Sequence, residues 1–327
     1  MPQSLPLPDA NLSVAFAQKY LQQLAPSDPN SDPNQVVNHR FLERRRQGFA
    51  DELRSALRSV SAKSWNRTEQ LLAEELVRHG VAPDLIDPWQ VSNGIHQVYD
   101  YAIKAYTAQE SPYRLVTQVS PILGNTRKQV TAVDPRAIGF VAMQFHYTGT
   151  QLMNLLPPAE QNNFSAYAKV LDDHLYMPLQ RAYEAASRHE SSSLALQAVR
   201  ILMTKVDEIA EEIVDSVIQH YPRYRCHSGL LNNPMIRTSS IRDVEMFQVY
   251  MWVCLLEGNL QALEQELFPL CVMIYPRLNV SWELVRHMTC MLRSKISTYL
   301  TPEQASFCDP FYNILMRLFS PEVFPNN

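Results

Sequence analysis

The chain has 327 residues, 46% of them apolar, enough to build sizeable cores and more than one ordinary domain usually holds. With 29 Lys and Arg against 33 Asp and Glu, its net charge of −4 offers no global attraction to nucleic acid or to an anionic membrane. Only 8 glycines, with neither a Walker-type loop nor a dinucleotide fingerprint, argue against nucleotide enzymes and turn-rich β architectures.

Residues 1–38 are rich in Pro, Asp, Asn and Ser and repeat the tetrapeptide Ser27–Asn30 as Ser31–Asn34, the composition of a flexible arm. Within it Leu12 to Leu24 is weakly amphipathic, with Phe16 and Tyr20 on one side, and can dock on the body. From residue 39 the pattern is helical almost throughout, starting with Phe41, Phe49, Leu53 and Leu57 against the basic Arg44–Arg46 sector. Helices are predicted over 69–79, 91–108 after the start signal Asp87-Pro88, 136–156, and 158–189 with a bend at Pro178. Residues 111–134, with Pro112, Pro121, Gly124 and little period, read as a long crossover loop. After a polar break at 187–193, helices are predicted over 194–220, 236–257, 260–275, 280–299 and 302–319. Strand signals are nearly absent, so the fold class is all-α, with a helical bundle over 39–189 and a second helical domain over 190–327.

Chemistry-bearing residues are sparse. The five cysteines show no CxxC spacing and no HExxH pattern occurs, so no metal site is expected, and the odd cysteine count suits a reducing cytosol. Cys254, Cys271 and Cys290 have apolar neighbours and are expected in the core. Asp172-Asp173-His174 is the densest polar cluster; its two acids point about 100° apart on a helix, as an exposed or interhelical polar face would have them. His287 is the one candidate for an axial haem ligand. No apolar run spans a bilayer and no apolar signal core precedes Lys19, so a cytoplasmic location is expected, without a membrane span or a nucleic-acid partner.

The most informative stretch is Ser240-Ile241-Arg242-Asp243, followed by an unbroken aromatic and aliphatic run to Glu257 and a Gly258-Asn259 turn. It resembles the phycobiliprotein family, the globin-like light-harvesting subunits of phycobilisomes, in which the corresponding helix carries Cys-x-Arg-Asp and ends in Gly-Asp or Gly-Asn. Upstream, Ile209 to Pro222 resembles the family's helix before the chromophore loop; downstream, Leu263-Glu264, Tyr275 to Asn279 and Leu300 to Glu303 fall where members have comparable elements. The resemblance covers roughly 190–320 and implies a globin-like fold there, with 39–189 either a diverged copy or an unrelated module.

By that resemblance Asp243 faces the inner nitrogens of an open-chain tetrapyrrole and Arg242 a propionate, through charge-assisted hydrogen bonds. Ser240 stands where the tethering cysteine would be, and its hydroxyl cannot form the thioether. Cys226, in Tyr224-Arg225-Cys226-His227-Ser228-Gly229, lies in the loop where the pocket would close, beside arginines that can lower a thiol pKa. The bland reading makes Arg242 and Glu245 a surface pair, while Asp243, on an apolar stripe with Phe247 and Met251, needs a partner.

The implied protein is a chromophore-free, phycobilisome-related accessory protein, not an enzyme. It would act by association with phycobilisome or other photosynthetic proteins in assembly, turnover or regulation, at the thylakoid surface or as a homo-oligomer. Left open is a globin-like sensor or stress-signalling protein holding a small apolar ligand or a non-covalent bilin.

Overall fold

The structure, a computed structural model, describes residues 10–21, 35–82 and 85–325. Among the described residues the fold is all-α apart from one hairpin of two two-residue strands. The Ser-Asp-Pro-Asn duplication and the rest of the arm lie outside the described residues, except for helix α1, Ala10–Leu21. Leu12, Phe16 and Tyr20, each one turn apart, are buried, so this piece of the expected arm is docked on the body.

Helix α2, Gln35–Arg78, joins two expected helices into one of 44 residues. Its buried Ala50, Leu53, Leu57, Val60 and Ser64 alternate steps of three and four, the seam of a long packed helix, and face α3, Pro88–Ala108, and α5, Ala137–Met153. The predicted start of α3 is realised: Asp87 Oδ1 accepts the Trp89 N–H at 2.8 Å, and Pro88 occupies the first helical position.

The expected crossover loop at 111–134 is instead helix α4, Pro112–Val133. Pro112 sits at the helix start, where its missing N–H costs nothing, and Pro121 is carried within the helix. Gly124 is there for space, since a Cβ would lie 2.4 Å from Gln180 Cγ. Leu115, Val116, Val119 and Leu123 still bury at helical spacing; the prolines and glycine masked that period.

Helices α6, Pro158–Tyr176, and α7, Leu179–Ala186, are separated at Pro178 as expected. Then come α8, Leu194–Met203, and α9, Val206–His220, and the hairpin of β1, Arg225–Cys226, with β2, Gly229–Leu230. Helix α10, Pro234–Glu257, is followed by a π-helical turn, Ala262–Leu267, and by α11, Phe268–Ile274, α12, Trp282–Ser297, and α13, Pro302–Leu318. Every residue from Val244 to Leu256 is buried, because α10 is enclosed by α7, α8, α9 and α13. A helix apolar all round belongs in such a central place. Helices α4 and α6 pack on each other, and α1 lies across α4, α6, α7 and α8.

Candidate functional site

Helix α10 starts before the motif: the Asn233 side chain caps it by accepting the Met235 N–H, Pro234 follows, and Gly258 ends it at φ +64°, a left-handed position glycine adopts without strain. The motif therefore lies in the second and third turns, where neighbouring residues point about 100° apart. Ser240 and Asp243, three apart, share the side facing α9 and α12, whereas Arg242 is turned toward α5 and α6. The expected ligand quartet is divided.

On the first side Ser240, Asp243 and Cys226 line one cavity with Val214, Tyr275 and Met288. Its volume is about 60 Å³. Asp243 has the partner its setting demands: Tyr176 donates to Oδ1 at 2.8 Å, and the Tyr275 hydroxyl also bonds to it. Burial raises its pKa, opposed by adjacent Arg242 and by these two hydroxyls. The Cys226 thiol is pushed up by burial and then by Asp243, not lowered by the neighbouring arginines as expected. His227 beside it is exposed, and its N–H donates to Leu278 O at 2.8 Å, tying the hairpin to the loop before α12.

These residues do not fit an open-chain tetrapyrrole. Pockets for drug-sized ligands run to roughly 300–1,000 Å³, the acid that would face the pyrrole nitrogens is taken by two tyrosines, and the arginine that would hold a propionate is elsewhere.

The other side of α10 is polar and tightly paired. Arg242 binds Asp172 Oδ2 at 2.6 Å and lies over the Tyr176 ring, 4.4 Å from its centre. His146 Nδ1 is 3.0 Å from the same carboxylate oxygen. Burial alone would raise the Asp172 carboxyl, but Arg242 and then His146 hold it well below the usual range. Glu245 is buried and binds Lys19 of α1 at 2.8 Å, with Lys169 at 3.7 Å; against burial, these cations hold it at about 2. The surface pair of Arg242 with Glu245 is thus corrected: each is drawn inward by a partner from a distant helix. Lys19 also reaches Asp173 at 3.3 Å and Asp207 at 3.4 Å, and Tyr20 donates to Asp173 at 2.9 Å. Burial and the neighbouring Glu245 lift Asp207 to about 6, with Lys19 opposing.

Further along α10, Arg127 of α4 donates to Leu175 O at 2.6 Å, Tyr176 O at 2.9 Å, the Tyr250 hydroxyl and Glu266 at 3.1 Å. Arg181 forks onto Glu257 at 2.7 and 2.6 Å and reaches Glu266 at 2.6 Å. Three polar networks thus hold α10 to the helices before it.

The acids of the Asp172-Asp173-His174 cluster do diverge, one to Arg242 and one to Lys19, as an interhelical face. His174 is buried with Nδ1 2.8 Å from Val170 O, and burial lowers it to about 4. His287, the haem candidate, packs its ring against His220 and Tyr221 and does not line the Asp243 cavity. Cys290 is exposed, whereas Cys254 and Cys271 are buried. Among the described residues no group of three or more His, Cys, Asp or Glu could hold a metal, and no helix is long and apolar enough to cross a membrane. Sequence reasoning missed Lys19, Lys169, Tyr176 and Arg127; no local pattern marks them, because each acts across the fold.

No curated protein and no solved structure matches the chain. The match to known families starts at residue 170 rather than 190, within α6, which fits the packing: Asp172, Asp173 and Tyr176 at the end of α6 are the partners of α10 and α1. The family model described as "Phycobilisome protein" matches residues 170–318, so the C-terminal part of this chain is similar to that family.

Proposed function

We propose that this protein is a phycobilisome accessory protein that carries no covalent bilin and acts by association with phycobilisome proteins in assembly, turnover or regulation, without catalysis, in the cytoplasm at the thylakoid surface. The family match supports the phycobilisome connection. The observation that carries the chromophore-free part is the cavity of about 60 Å³ at Ser240, with Asp243 tied to Tyr176 and Tyr275 and Arg242 withdrawn to Asp172. A serine at the tether position points the same way. With the pigment site closed, what the chain offers a light-harvesting complex is protein surface.

The test is expression with a bilin supply, followed by zinc-stained fluorescence on denaturing gels, together with affinity capture from phycobilisome-bearing cells. The wild type is expected to stay dark and to retain phycobilisome subunits. Ser240→Cys is expected to stay dark as well, since a restored thiol does not open the cavity. A fluorescent wild-type band would sink the chromophore-free reading, and capture without any phycobilisome subunit would sink the association.

A further inference from the structure

Outside the family-matched region, helices α2, α3 and α5 enclose a groove of about 790 Å³. Its walls carry two indoles, Trp65 of α2 and Trp89 of α3, and the Trp89 side is open, with that residue 79% exposed. Trp65 is held by an edge contact to Phe140, its ring centre 4.9 Å away, which fixes one aromatic wall. An open indole facing a second aromatic wall offers a flat partner two rings to stack on.

The groove also carries a cation in a chain of net charge −4. Arg58 and His96 both line it, and no Asp or Glu is among its described lining residues. Arg58 makes no ion pair among the described residues, and burial together with Arg58 lowers the His96 pKa. The nearest acid in sequence, Asp87, caps α3 by accepting the Trp89 N–H and offsets the positive dipole of that helix end, which leaves Arg58 as the cation of the groove.

The floor is Gln144 of α5, 1% exposed. Its Nε2 donates to Ser61 O at 2.9 Å, and since a carbonyl only accepts, the amide orientation is fixed and Oε1 must point away from Ser61. That oxygen has no donor. A buried acceptor left bare costs about 1–3 kcal/mol. A trapped water would satisfy Gln144, but it would explain neither the unpaired arginine nor the open indole.

We propose that this groove binds a planar aromatic anion that also carries an N–H or O–H donor: rings against Trp65 and Trp89, negative group toward Arg58, donor toward Gln144. This assignment is independent of the phycobilisome reading, because it rests on residues before the matched region.

The probe is 8-anilinonaphthalene-1-sulfonate, which has fused rings, an N–H and a sulfonate, titrated into the full chain with dye emission and tryptophan quenching recorded. N-phenyl-1-naphthylamine, with the same rings and N–H but no charge, is the control. One saturable site for the sulfonate dye is expected. Arg58→Gln should weaken the sulfonate dye about tenfold, the scale of one charge-assisted contact, and leave the neutral dye nearly unchanged. Trp89→Ala should weaken both dyes. Both positions are exposed, and an unchanged thermal midpoint verifies that the variants fold. No saturable binding, binding indifferent to both substitutions, or a neutral dye held as tightly as the anion would each overturn the proposal. So would a protein partner captured through Trp89 by a chain that binds neither dye.

Discussion

The two sides of α10 differ in kind. Toward α9 and α12 the helix presents Ser240 and Asp243 to a small, mostly apolar cavity; toward α1, α4 and α6 the same helix carries Arg242, Glu245 and Tyr250 into dense ionic networks. Residues with a ligand-holding appearance in sequence are thus spent on joining helices. Charge type in a motif does not by itself fix a task, because a one-residue step on a helix changes what a side chain meets.

The contrast can be broken hardest on the networked side. Arg127→Met removes the donor for two backbone carbonyls, Tyr250 and Glu266, and should lower unfolding free energy by about 3–5 kcal/mol in urea titrations, the cost of breaking a buried pair. A loss below about 1 kcal/mol would show that this side is no more demanding than a surface.

Arg242→Met leaves Asp172 with His146 alone and should cost about 2–4 kcal/mol, less than Arg127→Met because it deprives one carboxylate rather than two backbone carbonyls, a hydroxyl and a carboxylate. Combining it with Asp172→Asn should recover part of that loss, since the orphaned charge is gone; strict additivity in the double-mutant cycle would mean that the two do not interact.

Acid sharpens the comparison. His174 is neutral in the fold, with its pKa lowered to about 4 from 6.5. Above pH 6.5 folded and unfolded chains hold the same proton count at this site; below it the unfolded chain takes up a proton that the folded one refuses. Stability should therefore fall between pH 6.5 and 4, by about 2–3 kcal/mol at about 1.4 kcal/mol per pH unit. His174→Gln should flatten that slope in melts taken at successive pH values.

Asp207 runs the other way and more weakly, since its side chain is 39% exposed. Its pKa is raised to about 6, so its contribution is present below the unfolded value of 3.8 and lost as pH rises through 6. Asp207→Asn should raise the melting midpoint slightly at pH 7.5 and leave it nearly unchanged below pH 4.

Much of the architecture was legible from periodicity. The α3 start at Asp87-Pro88, the α6–α7 break at Pro178 and the run of α10 to Gly258 follow from capping and backbone chemistry acting within a few residues. Helix α4 was hidden because Pro121 and Gly124 are helix breakers by propensity, yet tertiary packing accommodates both. At the site, the apolar stripe through Phe247 and Met251 correctly demanded a partner for Asp243 without saying which. Tyr176 lies 67 residues away, and Asp172 lies 70 residues from Arg242.

Local pattern alone settles the all-α class, and the Ser240–Asp243 spacing with its flanks marks the region that matches the phycobilisome family model, because helix period, caps and motif spacing are short-range properties. Only the packed structure decides that Arg242 and Asp243 part company, that Glu245 is a buried ion rather than a surface one, and that Lys19 of the N-terminal helix completes a network on α10. Those outcomes depend on which distant helix supplies the opposite charge. A buried charge must find such a partner, but nothing in its immediate sequence names it.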